Sequence, residues 1–167
     1  MNITLVGFMG TGKTSVAKKL AQVMNMKYIS TDELIEKKEG RSINDIFAEK
    51  GEFYFRDLEK GIVREVSSLD GVVIDAGGGA IIDQENVNNL KANGIMICLQ
   101  ADPDTVLERM KDKKDRPLLN VDDKLAKINE LMKKRVAYYQ KADYFINTSN
   151  LSIDEVVKRI QGFLKNI

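Results

Sequence analysis

The sequence predicts an α/β domain in which a parallel sheet carries helices on both faces. Two observations predict it. Five short, β-prone segments (NITLV, KYIS, GVVID, GIMICLQ and DYFIN) alternate with stretches whose apolar residues recur at helical spacing. No repeat, low-complexity tract or linker interrupts the 167 residues, a length that suits one domain with a real core.

The elements follow in order. Residues 2–6 form the first strand, and GFMGTGKT leads into a helix whose apolar face is Val16, Ala17, Leu20, Ala21 and Met24. KYIS is the second strand. TDELIEKKEG reads as a brief helix capped by Thr31 and closed at Gly40, and SINDIFAEKG as another, capped by Ser42 and stopped at Gly51. A longer helix is expected over residues 52–69, then the strand GVVID, a GGGAI loop, a helix over residues 84–92 and the strand GIMICLQ. Asp102 before Pro103 starts the next helix. Residues 112–123 are polar and proline-broken, hence a surface loop, and a helix over residues 124–141, the strand DYFIN and a helix from Ser152 complete the chain.

Composition narrows the chemistry. Twenty-six Lys and Arg against 25 Asp and Glu leave a net charge of +1, so non-specific nucleic-acid binding is not expected and any anion site must be local. There is no histidine, which removes the commonest general base and every imidazole triad; carboxylates, Lys, Arg or a bound cation must carry any catalysis. The single cysteine, Cys98, lies in an apolar run and reads as core filler in a reducing compartment. No basic leader or membrane-length apolar run is seen, so a cytoplasmic protein is expected.

GFMGTGKT fits G-x-x-x-x-G-K-[ST] through Gly7, Gly12, Lys13 and Thr14, between a strand and a helix. Glycines let the backbone N–H groups of Gly10, Thr11, Gly12 and Ser15 turn toward phosphates at the positive end of a helix. Lys13 can reach the outer phosphates, and the Thr14 hydroxyl can ligate Mg²⁺. Nucleoside-triphosphate binding follows. A GTPase is disfavoured because no N-K-x-D element is present, and a small single domain with a basic loop suggests phosphoryl transfer to a small molecule.

Further elements make the chain similar to the shikimate kinases, nearly end to end. STDELIE matches that family's D-[ST]-D-x-x-I-E at Asp32 and Glu36, and FRDLE matches F-R-x-x-E through Arg56 and Glu59. GGG (residues 77–79) follows the third strand, RPLL lies in the polar loop, and RVAYYQKAD matches R-x-x-x-Y-x-x-x-A-D through Arg135, Tyr139, Ala142 and Asp143. The resemblance implies a three-layer α/β/α P-loop NTPase fold with a five-stranded parallel sheet in the order 2-3-1-4-5. It also implies ATP-dependent phosphorylation of the 3-hydroxyl of shikimate, in chorismate and aromatic amino-acid synthesis, with Mg²⁺. A monomer is expected, although the sequence does not give oligomeric state. The resemblance assigns Asp32, Arg56, Gly78, Gly79 and Arg135 to shikimate, Arg116 to a lid over the phosphates, and Arg109 to the adenine side. Lys13, Asp32 and Arg116 are the catalytic set it implies, residues 32–60 a substrate-binding insertion, and residues 112–123 the lid.

The chemistry agrees with those assignments. Two arginines can clamp a carboxylate with paired N–H bonds, a carboxylate can orient a hydroxyl and accept its proton, and bare glycine backbone permits close approach. Each short motif also has a plainer reading. Asp32 could cap a helix, Arg56 and Glu59 could be an ordinary surface pair, Arg116 and Arg135 could be solvated charges, and Tyr139 reads as core. Another small-molecule kinase activity, on gluconate or a nucleoside monophosphate, and a catalytically silent nucleotide binder are the alternatives at this point.

The chain departs from the family pattern at two positions. Where the family has an aspartate near the magnesium, two residues before Asp32, this chain has Ser30; where it has a small residue two before the glycine triplet, this chain has Asp75. A P-loop enzyme commonly ends the strand beside its P-loop strand on an aspartate. The magnesium-side carboxylate is therefore expected at Asp75, beside Thr14.

Overall fold

The computed structural model describes residues 1–111, 119 and 121–167. Its strands are β1 (Asn2–Gly7), β2 (Lys27–Ser30), β3 (Val72–Asp75), β4 (Gly94–Gln100) and β5 (Tyr144–Asn147). Its helices are α1 (Lys13–Met24), α2 (Thr31–Glu39), α3 (Ile43–Ser67), α4 (Gln84–Ala92), α5 (Pro103–Met110), α6 (Lys124–Tyr139) and α7 (Ile153–Leu164). All strand pairs are parallel, in the order β2-β3-β1-β4-β5.

Side-chain alternation along the strands divides the core in two. Ile3 and Leu5 of β1, Val73 of β3 and Ile97 and Leu99 of β4 pack with α1 and α7, while Val6, Ile74, Met96 and Cys98 face the opposite layer, built from α2 to α6. These side chains are almost fully buried, each contributing about 2 kcal/mol of transfer free energy, so both faces of the sheet are held by packing. Cys98 is core filler as expected, with burial pushing its thiol up to about 12.

Two local expectations change. Ser30, not Thr31, caps α2, its hydroxyl accepting from Glu33 N–H at 3.2 Å. Thr31 is fully buried and its hydroxyl is used across the sheet end, accepting from Gly77 N–H at 3.0 Å and reaching the Asp75 carbonyl at 3.5 Å. At Gly51 the chain leaves helical geometry (φ 83°, ψ 172°) and resumes at once, so the two helices expected on either side form one kinked α3. The last helices end slightly earlier than periodicity suggests, α3 at Ser67 and α6 at Tyr139. Among the described residues, no helix is long and apolar enough to cross a membrane.

The topology places the site. β1 lies between β3 and β4, and Asp75 is the register partner of both Leu5 and Ser30. The carboxyl ends of β1, β2 and β3 therefore open together, where parallel α/β sheets bind their ligands.

Candidate active site

The loop between β1 and α1 is built to wrap an anion. Gly10 and Gly12 adopt φ of 76° and 93°, and a Cβ on Gly7 would lie 2.2 Å from the Leu99 carbonyl oxygen, so glycine is required there by both conformation and space. The buried Thr11 hydroxyl donates to the Phe8 carbonyl at 2.7 Å and fixes the turn. No acidic side chain occupies the first turn of α1 and no side chain caps it, which leaves its positive end to a ligand. The Lys13 ammonium donates to the Gly7 and Phe8 carbonyls at 2.9 and 3.1 Å, curled over the loop it would share with phosphates. Thr14 and Ser15 follow on the exposed side.

A cavity of about 550 Å³ joins this loop to the other predicted residues. Gly10, Gly12, Lys13, Thr14 and Ser15 line one end and Arg109 its flank; Asp32, Arg56, Glu59 and Arg135 line the other, with Asp75 and residues 77–79 between. Thr11 is buried beneath the loop and does not line it. Arg116 lies outside the described residues, as does most of the expected lid.

The glycine triplet has a more specific role than the sequence suggested. A Cβ on Gly77 would lie 2.8 Å from Asp32 Oδ1 and 3.0 Å from Glu59 Oε2. On Gly78 it would meet the P-loop backbone and Arg135 Nη1 at 3.4 to 3.6 Å, and on Gly79 it would fall 2.4 Å from Arg56 Nη2. Gly79 is expected to bring bare backbone to a substrate; its missing side chain also leaves room for the Arg56 guanidinium, and a Cβ on Gly78 would meet nothing closer than 3.4 Å.

The charges are held firmly. Arg56 Nη1 donates to Glu59 Oε1 at 2.8 Å, and Glu59 is only 1% exposed. Burial pushes the Glu59 carboxyl up to about 7, with Asp32 adding to the rise while Arg56 and Arg135 oppose it. Arg135 is itself buried, its guanidinium 5.7 Å from the Phe8 ring centre, so a charge has been taken out of water at considerable cost. Arg109 Nη1 donates to the Gly10 carbonyl and the Thr148 hydroxyl at 3.1 Å each, and its Nη2 to the Thr148 carbonyl at 3.0 Å.

Asp75 ends β3 beside the P-loop. Its Oδ2 accepts from the Thr14 hydroxyl at 2.7 Å and from the Tyr28 hydroxyl at 3.3 Å. Thr14 and Asp75 thus offer hard oxygen donors side by side, a set that suits Mg²⁺, which takes few protein ligands and completes its shell with phosphate and water.

Three contributors escaped the sequence reading. Tyr139 is core, as expected, but its hydroxyl also donates to the Gly78 carbonyl at 2.7 Å and fixes the glycine loop. Thr148 reaches the Thr11 carbonyl at 2.8 Å across 137 residues of chain. Tyr28 meets Asp75 from the neighbouring strand. Each acts through a contact made only by folding; Tyr139 stands in the R-x-x-x-Y pattern, but no local motif marks Thr148 or Tyr28.

Comparison with known proteins identifies the family. The family model for shikimate kinase matches residues 9–165. A shikimate kinase of Caldanaerobacter subterraneus subsp. tengcongensis is 45% identical over 165 residues, covering 98% of this chain and 96% of that protein. One from Pelotomaculum thermopropionicum is 43% identical over 98% of this chain and 95% of its own. Among solved structures, shikimate kinase from Acinetobacter baumannii in complex with shikimate superposes with a TM-score of 0.95 at 36% identity, covering 99% of this chain and 93% of that one. The enzyme from Aquifex aeolicus superposes at 0.86 with 38% identity, covering 99% and 96%. The fold, the phosphate loop and near full-length similarity converge: this chain belongs to the shikimate kinase family.

Proposed function

We propose that the chain carries out its family's reaction with the side chains of this cavity: ATP, with Mg²⁺, phosphorylates the 3-hydroxyl of shikimate. One observation carries the reading. A single cavity holds a phosphate loop at one end and, at the other, two arginines and Asp32 around a glycine triplet. That is a receptor for a triphosphate facing a receptor for a small hydroxylated carboxylate.

Arg56 and Arg135 clamp the substrate carboxylate, and Glu59 holds Arg56 at its post. Asp32 accepts from the ring hydroxyls and orients the 3-hydroxyl toward the γ-phosphorus. The 3-oxygen bonds to that phosphorus as the bond to the β–γ bridging oxygen breaks; the bridging electron pair leaves with ADP, and Asp32 takes the hydroxyl proton. Lys13 and Arg116 stabilise the negative charge on the transferring group, and the N–H groups of Gly10, Gly12 and Ser15 hold the phosphates, while Thr11 fixes the turn beneath them. Thr14 and Asp75 would hold Mg²⁺, whose chemistry is neutralisation of the β- and γ-phosphate oxygens. Gly78 presents bare backbone to the substrate, and Arg109 flanks the adenine.

Asp32, Arg56 and Glu59 all come from residues 32–60, which supports reading that span as the substrate-binding insertion, with residues 112–123 as the lid of one kinase domain. The buried Cys98 suits a reducing compartment, the cytoplasm.

ADP release measured with shikimate, gluconate, nucleoside monophosphates or no acceptor, with and without Mg²⁺, tests the reading. Shikimate- and Mg²⁺-dependent ADP is expected. Equal release with no acceptor, or a preference for another acceptor, would refute it.

A further inference from the structure

The cation-side carboxylate of this site has an unusual setting. Asp75 is 6% exposed, yet it lines the cavity directly below the phosphate loop. Neither of its register partners, Leu5 and Ser30, carries an ionisable side chain. Ser30 cannot substitute for it, because the Ser30 hydroxyl is engaged in accepting from Glu33 N–H at the start of α2. The P-loop hydroxyl, Thr14, already sits on Asp75 Oδ2 at 2.7 Å. A second hydroxyl, Tyr28, approaches the same oxygen at 3.3 Å from β2.

Resting on the kinase reading, we propose that Asp75 is the carboxylate that holds the divalent cation of the nucleotide through its water shell, and that Tyr28 is its positioning residue. Tyr28 and Ser30 are two apart on β2 and share a face of the sheet, so the phenol is aimed at the row that ends in Asp75. The ring is half-buried, with the Lys18 ammonium 5.4 Å from its centre. Two donors converging on Oδ2 fix the carboxylate plane and leave the acceptor capacity of Oδ1 to water on the cation. Thr14 would serve the cation with its hydroxyl oxygen, and Tyr28 would be the donor left to hold Asp75. Outer partners of this kind govern cation affinity without touching the cation.

The test is Mn²⁺ binding to the enzyme–ADP complex by electron paramagnetic resonance, compared with ADP binding without metal by calorimetry. Neither measurement needs shikimate or turnover, so both stand even if the acceptor were different. Asp75→Asn is expected to weaken Mn²⁺ about 100-fold or more and Tyr28→Phe about 10-fold, each with metal-free ADP affinity within about twofold of the parent. The double variant is expected to match Asp75→Asn alone, because Tyr28 acts through Asp75. A second route avoids loss of the strand-end carboxylate. Asp75→Ser combined with Ser30→Asp, which preserves the α2 cap, is expected to regain at least about tenfold of the Mn²⁺ affinity that Asp75→Ser loses. Parental Mn²⁺ affinity in Asp75→Asn overturns the metal role, and parental affinity in Tyr28→Phe, or additive loss in the double variant, overturns the positioning role. Loss of metal-free ADP binding in step with Mn²⁺ overturns both.

Discussion

Replacing Gly79 by alanine tests the most unexpected contact in the site. Gly79 has φ −100° and ψ 0°, a conformation alanine adopts, so the substitution introduces space-filling without backbone strain. The new Cβ would lie 2.4, 2.5 and 2.6 Å from Nη2, Nη1 and Cζ of Arg56. Ordinary contact begins near 3.4 Å, so the guanidinium must retreat by about 1 Å. The side chain is long and can move, but its 2.8 Å bond to Glu59 then stretches beyond hydrogen-bonding range. A charge-assisted bond to a carboxylate that is 1% exposed is worth about 2 kcal/mol, which in a chain of this size lowers Tm by about 4–8 °C. Displacing a substrate clamp by about 1 Å costs on the order of 100-fold in kcat/KM for shikimate. The ATP side, built on the P-loop and Arg109, is untouched, so KM for ATP should stay within about twofold. Coupled ADP release and thermal unfolding measure these quantities. Gly61→Ala is the control: on the same helix as Arg56, its Cβ meets nothing within 4 Å, and it should stabilise by up to about 1 kcal/mol with kinetics unchanged. Parental kcat/KM for shikimate in Gly79→Ala, or equal losses toward both substrates, would refute the reasoning.

Two further outcomes are expected. Glu59 holds its proton up to about pH 7 in the fold and releases it near 4.5 when unfolded, so folding takes up a proton between those values. Its contribution to stability is full below about 4.5 and disappears as pH rises through about 7. Glu59→Gln should remove that part of the slope in chemical unfolding measured from pH 5 to 8, and an unchanged slope would contradict the assignment. Arg109→Ala should raise KM for ATP about tenfold by freeing Gly10 from the Thr148 turn, with KM for shikimate and Tm almost unchanged; an equal effect on both substrates would show that Arg109 does not serve the nucleotide side alone.

Much of this was legible in the chain. GFMGTGKT carries its chemistry in contiguous residues, because a loop that wraps phosphate is made of its own backbone. The alternating strands and helices were readable because side-chain periodicity is local, and Ser42, Gly40 and Pro103 marked helix ends for the same reason. The absence of histidine excludes every mechanism built on imidazole. Arg56, Glu59 and Arg135 were readable only as members of a family pattern, since a pair three residues apart on a helix looks the same exposed or buried.

Tertiary structure decided the rest. Whether Thr31 or Ser30 capped α2 depended on Gly77, a residue 46 positions away that claims the Thr31 hydroxyl. Gly79 could be recognised as bare backbone, but what the bareness admits, the Arg56 guanidinium, follows from how α3 crosses the end of β3. Asp75 could be suspected as an odd strand end; its place between Thr14 and Tyr28 required β1, β2 and β3 to pair in one register, and a slip of one residue would have turned it to the opposite face. Local sequence sets which backbone each segment prefers. Sheet order, register and helix packing, which are collective, set which side chains meet.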